Sequence, residues 1–122
     1  MKAALEALAA LPGAGGVVLV SDEGLILGSA SKSPEGAAGL ELVAAELAAL
    51  SCRLSPLLSE LGEEPLLRYT AGSRSHELLA LRLAGATLVL WVERGRDERL
   101  AQIELARRAD DVERWLAQLA ES

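Results

Sequence analysis

The sequence predicts an α+β domain with one five-stranded antiparallel sheet flanked by helices, in the order α-β-β-α-β-β-β-α. Three observations carry this. Short apolar runs are closed off by glycine- or proline-bearing turns, as strands are. Three longer stretches repeat apolar residues at steps of three and four, as helices do. The connections within the hairpin and the late meander are tight, which requires antiparallel pairing. The 122 residues fit a single domain spanning 1–122, long enough to bury a core without disulfide or metal. No internal repeat, linker or low-complexity tail interrupts it.

Residues 2–11 form the first helix, with Leu5, Leu8 and Leu11 on one face and Pro12-Gly13 stopping it. Gly16 to Ser21 is a β-branched apolar run suited to a strand buried on both faces. Asp22-Glu23-Gly24 supplies a turn, with Gly24 free to take positive φ. Leu25 to Ser29 returns as the second strand. A polar loop from Ser31 to Glu35 precedes the middle helix, Gly36 to about Ser55. Pro56 removes a backbone donor, so the helix either kinks there or a second short helix starts with Ser55 as its cap. Gly62 to Pro65 ends that segment. Leu66 to Ala71 is an edge strand by its imperfect alternation, and His76 to Leu83 is the fourth strand. Thr87 to Val92 has no charge on either face and belongs at the sheet centre. Glu98 to Leu119 closes the chain as a helix, its buried stripe being Leu105, Ala109, Val112, Leu116 and Leu119.

The middle helix is the most informative element. Leu40, Val43, Leu47, Leu50 and Leu54 form the stripe expected to face the sheet. The far side, which water would ordinarily bathe, holds Ala38, Leu42, Ala45, Ala49 and Cys52, with Glu41, Glu46 and Arg53 only at its margins. A second copy of the chain is the expected cover.

Composition narrows function. A net charge of -6 and a pI of about 4.8 argue against nucleic acid, whose binding needs a basic face. With 51% hydrophobic and 25% charged residues the chain is globular. The lone Cys52 has no internal disulfide partner and fits a reducing compartment. Glu6 interrupts the apolar N-terminus, so neither a secretory signal nor a membrane span is expected, and the location expected is the cytoplasm. The chain has no Asn and only two Gln, a bias shared by heat-adapted proteins and by G+C-rich genomes.

Candidate chemistry is thin. Gly13-Ala14-Gly15-Gly16 stands between helix and strand, the reverse of a phosphate loop, and lacks the Lys-Ser/Thr pair. His76 has no second ligand for a metal, and its neighbour Glu77 points to the opposite strand face. Ser73 and Ser75 lack a spaced acid for a triad. Cys52 reads as a packing residue. Arg94, Arg96 and Arg99 could meet an acidic or phosphate-bearing partner, or simply keep a connector soluble, with Asp97 capping the last helix. No catalytic residue, cofactor or metal is expected.

Leu11 to Val20, the acidic-glycine hairpin Ser21 to Leu27, and the late hairpin Leu83 to Leu90 together resemble the Roadblock / dynein light chain 7 family, which in bacteria partners Ras-like GTPases. The likeness spans nearly the whole chain; profilin- and longin-like domains share related layouts. The resemblance implies a homodimer in which the middle helix pairs antiparallel with its twin and the third strand, Leu67, Arg68, Tyr69 and Thr70, meets its twin at the sheet edge. An axis near Leu47 would set Ala45 against Ala49, Leu42 against Cys52, and Glu41 beside Arg53. The function it implies is a non-enzymatic regulator of a Ras-like small GTPase. The alternatives are a dimeric scaffold for larger complexes and a profilin- or longin-like sensor of a small ligand or peptide.

Overall fold

The computed structural model describes residues 1–62, 66–95 and 97–121. Eight elements follow the expected order: α1 (Lys2–Ala9), β1 (Ala14–Ser21), β2 (Ile26–Ser31), α2 (Pro34–Glu60), β3 (Arg68–Gly72), β4 (His76–Leu83), β5 (Ala86–Glu93) and α3 (Glu98–Glu121). The sheet order is β2-β1-β5-β4-β3, with every neighbouring pair antiparallel. β5 lies at the centre and β3 at one edge, as their sequences require.

Three layers result. α1 and α3 cover one sheet face through Leu5, Leu8, Leu105 and Val112, packed on Leu19, Leu88 and Leu90. α2 covers the other, setting Leu40, Ala44, Leu47 and Ala48 on Val18, Val20 and Val89. β1 and β5 are thus buried on both faces, which explains their unbroken apolar runs. The β1–β2 turn places Gly24 at φ +89°, a conformation L side chains avoid. Gly15 sits where the β1–β5 register shifts, with the Trp91 ring so close that a Cβ would lie 2.7 Å from Cε3.

Several details depart from the sequence reading. α2 starts earlier, because Ser33 caps it by accepting the Gly36 N–H at 3.2 Å and Pro34 occupies its first turn. It then runs through Pro56 as one helix of 27 residues, about 40 Å long at 1.5 Å per residue. Gly62, at φ +79°, follows its end, whereas the expected terminator Pro65 lies outside the described residues. The sheet-facing stripe is also rotated. Ala44, Ala48 and Ser51 are buried, while Val43 is 40% exposed and Leu50 and Leu54 are half-buried. Small residues let the helix lie close on a floor of valines. Cys52, expected on the face that a twin would cover, is exposed in the single chain. Leu119 is 50% exposed, because the buried residues of α3 end at Val112 and leave the last turns beyond the core. By length and composition alone α2 could cross a bilayer, yet its sheet-facing stripe packs as a core helix does.

Candidate interaction surface

The surface begins with α2. Its two flanks lie over different parts of the sheet. Glu41 accepts a hydrogen bond from Ser29 Oγ of β2 at 3.1 Å, which turns the flank bearing Glu41 toward β2. On the opposite flank Gly36, Gly39, Leu40 and Val43 wall a groove of about 360 Å³ floored by Leu78 of β4 and Trp91 of β5. At about 100° per residue, Leu50, Leu54, Leu57 and Leu61 continue this flank along the helix. Leu57 and Leu61 are 55% and 76% exposed.

The residues expected at the twin interface therefore divide. Ala38, Leu42, Ala49, Cys52 and Arg53 are exposed and Ala45 is half-buried, on the crest and the β2 flank of α2. Leu67, Arg68 and Thr70 are exposed at the β3 edge, beyond the opposite flank. The groove flank is the apolar surface that adjoins the β3 edge.

β3 offers an open backbone. The Leu67 carbonyl accepts the Arg82 N–H at 2.7 Å, and the Ser73 N–H donates to the His76 carbonyl at 2.8 Å. Antiparallel alternation then spends Leu67, Tyr69, Ala71 and Ser73 on β4 and leaves Arg68, Thr70 and Gly72 facing outward. Tyr69 ties this edge to the helix. Its hydroxyl donates to the Leu47 carbonyl at 2.7 Å and lies 2.7 Å from Ser51 Oγ, which donates back along the helix to the same carbonyl at 2.9 Å. Burial raises the Tyr69 pKa, and the Ser51 bond only partly opposes it. The middle of β3 is thereby fixed beneath the middle of α2. No sequence pattern announces that contact; the local signal is Ser51, a polar residue within an apolar stripe.

A second anchor stabilises the other end of β4. Arg82 Nη1 contacts Asp22 Oδ1 at 2.6 Å and also donates to the Ala86 carbonyl and Thr87 Oγ1. The Asp22 hydrogen bond raises the Arg82 pKa. The pair locks the β1–β2 turn to the sheet.

His76 and Arg94 make contacts within the fold. His76 Nδ1 is 2.9 Å from Ser75 Oγ, and its ring sits 4.9 Å from that of Trp91. Among the described residues no carboxylate bonds the imidazole, and no group of three His, Cys, Asp or Glu side chains is placed to hold a metal. Arg94 donates to the Ser73 carbonyl at 3.0 Å and reaches Glu77 at 3.7 Å, fastening the loop after β5 to the β3–β4 turn. Arg99 is exposed and shares a shallow groove of about 470 Å³ with Arg68 and Ile103, on the α3 side of β3. Arg96 lies outside the described residues.

An antiparallel sheet carrying one long helix on one face and a terminal pair on the other, with an open third-strand edge, is the Roadblock/LC7 fold. Among solved structures, Myxococcus xanthus MglB superposes with a TM-score of 0.84 at 16% identity, over 96% of this chain and 94% of that one. A Roadblock/LC7 domain from Streptomyces avermitilis gives 0.77 at 20% identity, over 96% and 98%. The gliding protein MglB of Thermus thermophilus gives 0.78 at 19%, over 92% and 84%. No family model matches the sequence, and no curated protein does. At these identities the likeness is one of fold.

Proposed function

We propose that this chain is a homodimeric, non-enzymatic regulator of the Roadblock type that binds a Ras-like small GTPase in the cytoplasm and shifts its nucleotide cycle. The observation that carries the reading is α2, a helix packed on its own sheet that still shows apolar side chains on its crest and on its groove flank. One such surface suffices for self-association; the remaining one is available to a different protein. Support comes from the MglB neighbours, one solved in a tetrameric arrangement and another described as a gliding protein, and from the sequence resemblance to a family that partners such GTPases. The regulator acts by population: a preformed surface that fits one nucleotide state better draws the GTPase toward it. No reacting group need come from this chain. Neither nucleic acid nor membrane insertion enters the reading.

The test is GTP hydrolysis and nucleotide exchange by a Ras-like GTPase encoded beside this chain, measured with and without it. A changed rate together with complex formation supports the reading; no binding and no change in either rate rejects it. The groove beside α2 favours one competitor, a sensor of a small apolar ligand. Saturable binding of such a ligand, with no GTPase contact, would establish that reading instead.

A further inference from the structure

The sheet order leaves β2 as a second edge, on the far side of the sheet from β3. Open edges invite pairing, and proteins ordinarily blunt them with charge, proline or a bulge. From Leu25 to Ser31 this edge carries neither charge nor proline. Its bulge falls near the turn, where Val20 meets Ile26, and Gly28 to Ser31 run in register with Leu19 to Gly16. The Lys32 N–H donates to the Gly15 carbonyl. Alternation then turns Gly28 and Ala30 toward β1 and leaves the N–H and carbonyl of Ser29 and Ser31 facing outward. The two sheet faces beside this edge differ. On one, α1 packs so close that a Cβ at Gly28 would lie 2.8 Å from Met1 Cε and 2.9 Å from Leu5 Cδ1. Further along, only the small Ala9 and Ala10 adjoin Ala30, and they leave a depression of about 190 Å³ bordered by Glu6, Ser31 and Lys32. On the other face Ser29 donates to the Glu41 carboxylate.

We infer that the β2 edge takes an extended segment of a partner protein as a sixth strand, and that the segment reads aliphatic-basic-aliphatic. The site is independent of the homodimer reading above. Main-chain bonds to Ser29 and Ser31 hold the segment, and pockets on the two faces read its alternate side chains, as in strand addition generally. Directly opposite residues of an antiparallel pair point to the same face. The residue opposite Ala30 therefore enters the depression beside α1. A cavity of about 150 Å³ holds benzene, so this one admits an aliphatic side chain. The residue opposite Ser29 lies on the other face, beside Glu41. A carboxylate accepts several bonds, so Glu41 keeps Ser29 and takes a lysine or arginine as well. The residue opposite Gly28 returns to the α1 face and rests on Met1. Lys32 does not oppose the incoming cation, because its Nζ already donates to the Leu11 carbonyl at 3.0 Å. Glu6 is exposed at the border of the depression and adds to the negative field of a chain of net charge -6. A second copy of this edge meets none of these terms. Its regular stretch offers only Gly28, Ser29, Ala30 and Ser31, which leave the depression unfilled, and it brings a second Glu41 toward the first.

The probe is an acetylated, fluorescein-labelled heptapeptide of alternating lysine and valine, titrated with the full chain by fluorescence anisotropy at physiological ionic strength. Its control holds the same residues with the lysines first and the valines last. We expect saturable binding of the alternating peptide, about tenfold tighter than the control. In the complex the amide protons of Ser29 and Ser31 should exchange more slowly by NMR. Ala10→Leu fills the depression, and Ser29→Pro removes an outward N–H that β1 does not use. Each should weaken binding about tenfold while the circular dichroism stays that of the wild type. Ser29→Ala keeps the N–H and should bind within about twofold of the wild type. No saturable binding, equal affinity for the two peptides, or full affinity in a folded Ala10→Leu overturns the inference; if Ser29→Pro fails to fold, Ala10→Leu and the amide exchange decide. Ser29 and Ser31 amides already protected without peptide, and losing that protection on dilution, would give the edge to a second copy and overturn the inference equally.

Discussion

Replacing Tyr69 by Phe removes one hydroxyl and tests the link between sheet edge and helix. That hydroxyl donates to the Leu47 carbonyl and contacts Ser51 Oγ, each at 2.7 Å. Ser51 is fully buried, but its own hydroxyl keeps the Leu47 carbonyl as acceptor, so the substitution strands no buried donor. The loss is then the net value of one hydrogen bond, about 1 kcal/mol, rather than a full desolvation penalty. Ser51→Ala should cost about 1 kcal/mol, and the double variant should cost less than the two singles together by about 0.5–1 kcal/mol, because the two hydroxyls touch and share the Leu47 carbonyl. Urea unfolding reads all four proteins at one fixed concentration, since the proposed self-association would add concentration-dependent stability. Alkali supplies a second signature. Burial raises the Tyr69 pKa, so the folded state holds its proton where the unfolded chain, near pH 10, has released it. Its contribution is whole below that pH and fades as pH rises through the folded value; Tyr69→Phe should abolish this component. Additive single costs, or an alkaline loss unchanged in the Phe variant, would refute the tether.

Three further substitutions examine other contacts by the same unfolding assay. Asp22→Asn exchanges the charged partner of Arg82 for an amide, and the remaining bonds to Ala86 and Thr87 limit the loss to about 1 kcal/mol; an unchanged midpoint contradicts an anchoring role. Gly15→Ala drives a methyl to within 2.7 Å of the rigid Trp91 ring and should cost about 1–3 kcal/mol, with a shifted Trp fluorescence maximum. Pro56→Ala restores an N–H that can reach the Cys52 carbonyl inside α2 and should raise stability by about 2 kcal/mol, helix propensity outweighing the freer unfolded chain.

The order of elements was legible because each strand run ends in a turn residue with a physical task, as Gly24 shows at positive φ. The central place of β5 followed from its uncharged sequence. The phase of α2 was not legible. A helix apolar at nearly every angle gives periodicity no polar face to point away from the core, so Val43, Leu50 and Leu54 competed on equal terms with Ala44, Ala48 and Ser51. Only the flat valine floor of the sheet decides among them, and it admits the smaller set. For the same reason the sequence could not say which apolar flank adjoins β3. Pro56 was read as an interruption, yet a proline removes one backbone bond and a long packed helix tolerates that.

Leu57 and Leu61 stand well out from the protomer, and newly made chains display them before they have met anything. Exposed leucines of this kind are what chaperones hold and proteases sample. In the homodimer proposed above, a mate arrives at a frequency set by abundance, so scarce chains would wait longer in that vulnerable state. On that reading, output of the gene and lifetime of its product are coupled: halving synthesis should lower the standing amount by more than half.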